Sequence, residues 1–99
     1  MKVRFHPAAR AGAQKRPRWY EERSPMSAAA LAQEIDAAIS QIAEAPMRYP
    51  VAQAGTRRLV LPRFPFSIFY RVGTTEIVIV SVAHHKRRPG YWRQRAETG

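Results

Sequence analysis

The chain contains the run Ile77-Val-Ile-Val-Ser-Val-Ala83, which continues directly into His84-His-Lys-Arg-Arg-Pro-Gly-Tyr-Trp-Arg-Gln-Arg95. An uncharged run rich in β-branched residues is typical of a buried strand. The segment that follows it is cationic and aromatic and contains no acidic residue. A strongly cationic segment therefore follows directly after a core strand and lies at the surface, which indicates an anionic partner.

Length and charge limit the class of protein. The 99 residues suffice for one small domain, spanning 1–99, with a single modest core. Lys and Arg number 17 against 7 Asp and Glu, which gives a net charge of +10. Most of these cations are Arg, whose rigid donor fork suits phosphates and carboxylates. Nucleic acid or an acidic protein is the expected partner, and an Arg-rich genome is the alternative explanation of the bias.

The sequence also excludes several classes of site. Because it contains no cysteine, it has no disulfide, thiolate nucleophile or zinc–thiolate centre. The N-terminus lacks the apolar core of a signal peptide, and no apolar stretch approaches a membrane span. We therefore expect a cytoplasmic protein with no membrane partner.

The clearest helix follows Ser24-Pro25, a capping hydroxyl before a proline at the first turn. Apolar side chains then recur at spacings of three and four, at Leu31, Ile35, Ala38, Ile39 and Ile42. Glu34 is assigned to the solvent face, and Pro46 ends the helix. An earlier helix is predicted from His6-Pro7, after a short strand over Lys2–Phe5.

Three consecutive strands are predicted over Arg57–Leu61, Phe66–Val72 and Glu76–Ala83. Their short connections require antiparallel neighbours. The expected fold is α+β with the order β-α-α-β-β-β. Two N-terminal helices pack on one face of a mainly antiparallel sheet, and a short helical or irregular tail follows. We expect the opposite sheet face to carry exposed or partly exposed Arg and aromatic residues.

The C-terminal cations fall into two clusters. They are Arg57, Arg58, Arg63 and Arg71 on the predicted strands, and Lys86, Arg87, Arg88, Arg93 and Arg95 after them. In an antiparallel meander these side chains can converge on one sheet face or its rim and bind phosphates, with Tyr91 and Trp92 stacking on bases. The alternative is a solvated tail with Tyr91 and Trp92 docked on the core.

His84-His85 is the one histidine pair in the sequence. Strand alternation places one imidazole inward and the other outward, which suits a general acid or base, a partner contact or a structural strand end. No Asp, Glu or Cys lies nearby in the sequence, so neither a metal site nor a cofactor is expected. Gly-x-Ser-x-Gly and Gly-rich phosphate loops are also absent. Any catalysis would be acid–base chemistry on an RNA phosphodiester.

Three segments together resemble the RelE/ParE superfamily of bacterial type II toxin–antitoxin toxins. They are Arg57-Arg-Leu-Val-Leu-Pro-Arg-Phe-Pro-Phe-Ser-Ile-Phe-Tyr-Arg-Val72, the apolar strand, and the Ala83-His84 ending with its basic residues. The resemblance covers nearly the whole chain. It implies a small basic toxin that a cognate acidic antitoxin neutralises. RelE-like members cut mRNA on the ribosome, whereas ParE-like members inhibit DNA gyrase.

The resemblance also implies site residues. For a RelE-like ribonuclease the catalytic set would be Arg58, His85, Arg87 and Tyr91. Contacts with the target or the antitoxin would come from Arg57, Arg63, Arg71, His84, Lys86, Arg88, Trp92 and Arg93. However, Val60, Ser67 and His85 stand where RelE-type nucleases carry Lys, Arg and Arg. The Phe-Tyr-Arg-Val strand and the His84 ending are closer to ParE-like members. A ParE-like gyrase inhibitor is therefore favoured over a ribosome-dependent endoribonuclease, with a non-toxic basic binding module as the third hypothesis.

Overall fold

The structure, a computed structural model, describes residues 1–11 and 24–98. Its elements are strand β1 (Lys2–Phe5), helix α1 (Pro25–Glu44), strands β2 (Arg57–Val60), β3 (Phe66–Val72) and β4 (Glu76–His84), and the short helix α2 (Arg93–Thr98). Residues 7–11 are also helical, and the remainder of the predicted first helix lies outside the described residues. The predicted order β-α-α-β-β-β with a short C-terminal helix is confirmed.

The four strands form one mixed sheet in the order β1-β4-β3-β2. β2, β3 and β4 are antiparallel neighbours, as their short connections require. β1 pairs with β4 in parallel, from Lys2 opposite Glu76 to Phe5 opposite Ile79. The strand that comes last in the chain therefore lies inside the sheet, between the first strand and the third.

Helix α1 begins and ends at the predicted signals. The Ser24 hydroxyl accepts a hydrogen bond from the backbone N–H of Ser27 at 3.3 Å, with Pro25 in the first turn. The helix stops at Glu44, two residues before Pro46, because proline cannot continue the hydrogen-bond ladder. Its buried stripe packs on sheet residues that include Leu59, Phe66, Ile68, Tyr70, Ile77 and Ile79.

Glu34 is buried beneath Arg63, so its assignment to the solvent face is wrong. It lies three residues after Leu31 and four before Ala38, and is therefore on the buried stripe. Its Oε1 accepts a hydrogen bond from the Arg63 backbone N–H, and its Oε2 one from the Arg63 Nε, both at 2.9 Å. Burial alone would raise the pKa of Glu34, but these bonds and the Arg63 charge outweigh it and hold the pKa below its usual value.

The sheet face opposite α1 is covered along β4, whereas Arg58, Phe69 and Arg71 on the same face are exposed or partly exposed, as predicted. Val78 and Val80 are fully buried against Trp92 and Ala96 of the C-terminal segment. β4 carries apolar side chains on both of its faces, so each face has to be covered to remove them from water. Helix α1 covers one face, and the segment after β4 folds back over the other.

A β-bulge in β4 decides which residues face each layer. Tyr70 pairs with Ile79, but Phe69 pairs with Ser81, so Val80 is an extra residue in β4. Val80 contacts Trp92, and the Ser81 hydroxyl bonds to Tyr91, so both side chains face the C-terminal segment. After the bulge the alternation is inverted, and Val82 points toward α1.

The loop between α1 and β2 is anchored from the sheet below it. The Tyr70 hydroxyl donates to the Pro46 carbonyl at 2.6 Å. Arg57 donates from one guanidinium nitrogen to the carbonyls of Tyr49 at 2.6 Å and Met47 at 3.3 Å. Burial is the main cause of the raised pKa of Tyr70, which keeps its hydroxyl protonated as a donor. In this structure the Arg57 guanidinium is engaged in holding the loop.

We predict that Glu34→Gln lowers the free energy of unfolding by about 1 kcal/mol at neutral pH, because the Arg63 bonds lose their charge assistance. Because folding lowers the pKa of Glu34, its carboxylate stabilises the folded state at pH values above the ordinary pKa of 4.5. This contribution is lost as the pH falls through the lower pKa of the folded state. The difference in the free energy of unfolding between Glu34→Gln and wild type should therefore be smaller at about pH 3 than at neutral pH. Urea unfolding at both pH values measures it.

The matched control is Asp36→Asn, two residues along α1 and exposed. It removes the same charge and should change stability by less than about 0.5 kcal/mol at either pH. An equal loss in the two variants would show that the effect comes from helix charge and not from the Arg63 bonds.

Candidate functional site

A surface pocket of about 270 Å³ lies where β4 ends and β3 begins. Its polar lining comes from β2, β3, the end of β4 and the segment after it, and consists of Arg58, Ser67, His84, His85, Arg87, Arg88 and Tyr91. We call it the arginine pocket. The ring of His84 is directed away from it, toward Phe66. All four residues of the predicted ribonuclease set, from Arg58 to Tyr91, line it.

His85 is held at the floor of the arginine pocket. Its backbone N–H donates to the Pro65 carbonyl at 2.9 Å, which continues the pairing of β3 and β4 beyond the end of the strand. Its Nε2 lies 2.9 Å from the hydroxyl oxygen of the buried Ser67. The imidazole is thereby oriented while it remains exposed on one side.

His84 lies on the opposite side of the sheet. Its ring packs edge-on against Phe66 with the centroids 5.0 Å apart, and its Nδ1 accepts a hydrogen bond from the Lys86 backbone N–H at 3.0 Å. The prediction of one inward and one outward imidazole is therefore confirmed. The bulge at Val80 makes His84 the inward one, since strict alternation from Ile77 would reverse the pair.

Tyr91 supports the wall of the arginine pocket. Its hydroxyl is 2.8 Å from the hydroxyl of Ser81, which is fully buried in β4. The Arg87 guanidinium stacks on the Tyr91 ring, with its carbon 3.9 Å from the centroid, and that of Arg95 lies 5.3 Å away. Arg95 also donates to the Val80 carbonyl at 3.1 Å. A chain of contacts thus connects the surface cation Arg87 to the central strand.

Trp92 is docked on the core, as the second interpretation of the tail proposed. It is 1% exposed, and its ring lies 4.2 Å from that of Phe69, centroid to centroid. In this structure its ring has no free face for a base or a partner. Its contacts hold the C-terminal segment, and with it the arginine pocket, against the sheet.

The remaining predicted contact residues lie outside the arginine pocket. Arg57 holds the loop before β2, and Arg63 pairs with Glu34. The Nε of Arg71 is buried and has no hydrogen-bond partner among the described residues. Lys86 and Arg93 are exposed but do not line the pocket. The two predicted cation clusters therefore converge only through Arg58, Arg87 and Arg88.

A second, more apolar groove of about 520 Å³ adjoins the arginine pocket. It runs between the loop before β2 and the segment after β4, and shares Arg58 and Phe69 with the pocket. Val51 and Val60 on its rim are 71% and 47% exposed. A basic pocket and an apolar groove thus form one continuous surface.

The electrostatic character of the arginine pocket is uniform. No Asp or Glu lines it, and the two salt bridges found within residues 1–11 and 24–98, Arg4–Glu76 and Arg63–Glu34, lie elsewhere. In the same part of the chain no three His, Asp or Glu side chains are grouped closely enough to hold a metal ion. Nor does any helix there have the length and apolar character to cross a bilayer.

Two residues that shape the site were not predicted from the sequence. Ser67 fixes the His85 ring, and Ser81 fixes Tyr91. Ser81 carries a recognisable signal, because it is the one hydroxyl within the apolar run Ile77–Ala83 and a buried hydroxyl requires a partner. The partner itself could not be identified, since the tail was not known to fold back over β4.

We predict that Trp92→Ala lowers the free energy of unfolding by about 3–5 kcal/mol, because it removes the largest side chain of the layer that covers Val78 and Val80. Guanidinium unfolding measures the loss. Arg93→Ala, an exposed neighbour, should cost less than about 0.5 kcal/mol and serves as the control. Equal stability of Trp92→Ala and wild type would contradict the docking of the tail.

Comparisons with known proteins identify the family. A model of the ParE toxin of the type II toxin–antitoxin system parDE matches residues 3–89. Among solved structures, a chain described as the chromosomal ParDE TA system from P. aeruginosa matches with a TM-score of 0.75 and 25% sequence identity, over 85% of this chain and 95% of that one. No functionally curated protein matches the sequence. Because the family model matches 87 consecutive residues of the 99, including α1 and strands β2, β3 and β4, the chain belongs to the ParE toxin family of type II toxin–antitoxin systems.

Proposed function

We propose that this toxin acts in the cytoplasm by inhibiting DNA gyrase, and that an acidic antitoxin neutralises it. The observation that carries the proposal is the match of the ParE toxin model to residues 3–89, which includes every strand and most of the arginine pocket. Gyrase inhibition is the activity that the resemblance implied for ParE-like members of the superfamily.

The internal contacts of the arginine pocket support a toxin that is not a nuclease. The Tyr91 hydroxyl is bonded to Ser81, and the Arg87 guanidinium is stacked on the Tyr91 ring. His85 is bonded to Ser67, at a position where RelE-type nucleases carry an Arg. The Tyr91 hydroxyl is thus already used for structure, whereas a general acid or base has to reach the substrate.

An acidic antitoxin suits the surface charge. The chain carries a net charge of +10, and the acid-free arginine pocket opens beside a groove with exposed Val51 and Val60. A segment that combines carboxylates with a few apolar side chains complements both parts of this surface. We therefore expect the antitoxin to cover the arginine pocket and the groove together. Strong salt dependence of association would accompany that contact.

The experiment that tests the target compares DNA and RNA. Purified toxin should inhibit supercoiling of relaxed plasmid by gyrase, and induction in cells should cause filamentation and DNA damage with messages intact. His85→Ala should leave mRNA intact as well, because no RNA chemistry depends on that imidazole. Added antitoxin should restore supercoiling.

Two other outcomes would replace the proposal. If supercoiling continues and mRNA is cut at ribosomes within minutes of induction, with cutting lost in His85→Ala, the toxin is a ribosome-dependent endoribonuclease. If overexpression of a folded protein is harmless and gyrase is unaffected, the third hypothesis of a non-toxic basic binding module applies.

A further inference from the structure

We propose that the arginine pocket is a binding site for a phosphate group of a nucleotide chain. The proposal concerns the toxin by itself and goes beyond gyrase inhibition, since it requires neither gyrase nor an antitoxin. It rests on the charge of the pocket, the fixed positions of Arg87 and His85, and the internal contacts that cover the rings of Trp92 and Tyr91.

The arginine pocket offers several cations and no competing anion. Arg58, Arg87 and Arg88 line it, and no acid does. Within the described part of the chain, the side chains of Arg58 and Arg88 have no hydrogen-bond acceptor or ion-pair partner. Three like charges around one small pocket repel one another, so an anion bound between them is stabilised by all three.

Two of the donors, Arg87 and His85, are held in place before any ligand arrives. Arg87 stacks on Tyr91 at 3.9 Å, and Tyr91 is bonded to the buried Ser81 at 2.8 Å. Stacking occupies the face of the guanidinium and leaves the N–H groups in its plane free to donate. His85 is oriented by Ser67 at 2.9 Å, and its backbone by Pro65. Such fixed donors lose little entropy when they bind.

Base stacking on Trp92 and Tyr91 is not available in the arginine pocket, because both rings are used internally. Trp92 is 1% exposed and packs on Phe69. The guanidinium groups of Arg87 and Arg95 both lie over the Tyr91 ring. The pocket therefore offers mainly contacts to the charged backbone of a nucleotide chain, and we expect binding with little sequence preference.

A phosphate suits the arginine pocket better than a carboxylate does. A carboxylate has one charge and two oxygens, which a single Arg can satisfy in bidentate fashion. A backbone phosphodiester also carries one charge, but its oxygens are arranged tetrahedrally and can be shared among several donors, and a terminal phosphate carries a charge of about −1.5 to −2 at pH 7. Three guanidinium groups and the exposed imidazole of His85 in one pocket can bind such a group from several sides.

The test follows the imidazole signals of the full-length toxin by NMR during titration with inorganic phosphate at constant ionic strength. The chain has only three histidines, so His85 can be assigned by substitution and His6 serves as an internal reference. The His85 signal should shift saturably with phosphate and much less with acetate. The Arg58→Ala/Arg88→Ala variant should bind about tenfold more weakly or worse, since two charge-assisted bonds are lost.

The charge-matched control is Lys2→Ala/Arg48→Ala, which removes two exposed cations away from the arginine pocket. It should titrate like wild type. Equal weakening in the two double variants would overturn the proposal, because the effect would then be one of net charge. Equal shifts with phosphate and acetate would overturn it as well. Neither result bears on the supercoiling assay, so the two proposals fail separately.

Two oligonucleotides distinguish the source of the phosphate. A single-stranded hexamer with a 5′-hydroxyl tests the backbone phosphodiester, and the same hexamer with a 5′-phosphate tests the terminal group. If both hexamers compete with inorganic phosphate, the arginine pocket binds the backbone phosphodiester. If only the 5′-phosphorylated hexamer competes, the pocket binds the terminal phosphate. If neither hexamer competes, the proposal of a nucleotide phosphate is overturned.

Discussion

The fold depends on the fact that β4 has no face that tolerates water. From Ile77 to Ala83 every side chain is buried, and the strand lies inside the sheet between β1 and β3. Two separate layers must therefore cover it, and among residues 1–11 and 24–98 helix α1 covers one face and the C-terminal segment covers the other. The cations that follow β4 are consequently held against the sheet by the same packing that completes the core.

This coupling of core and surface explains the construction of the arginine pocket. Trp92 and Ala96 bury the outer face of β4, and Arg87, Arg88 and Tyr91 lie on the same short segment. A bond from Tyr91 to Ser81 then fixes the stacked guanidinium relative to the strand. Surface charge on a mobile tail would contribute only general attraction. Charge on a segment held by a buried Trp can present a defined geometry to an anion.

The sequence predicted the elements well and their contacts less well. Caps, prolines and periodicity located α1 and the three C-terminal strands to within a residue or two, because those signals are local. The docking of the tail on the outer face of β4 remained one of two alternatives, because the return of the tail is a tertiary event. The burial of Glu34 was not predicted, because its charge favours the solvent face although its position in the helical repeat places it on the apolar stripe. The sequence predicted that cations of the two clusters converge, as Arg58 and Arg87 do. Arg57 and Arg63 lie outside the arginine pocket because each binds a partner that no local pattern reveals.

The bulge at Val80 has a consequence for how the length of this chain can vary. Because Val80 is the residue that β4 holds in excess of β3, a chain without it would pair regularly and keep Val82, His84 and His85 on their present faces. With the bulge kept, the gain of one residue between Ile77 and His84 would exchange the two imidazoles between the helix side and the arginine pocket. The loss of one residue in that stretch can instead be absorbed by regular pairing in place of the bulge, so the strand can be one residue shorter without changing which histidine the surface presents. Related toxins with a strand one residue shorter would be expected to differ from this one at that point.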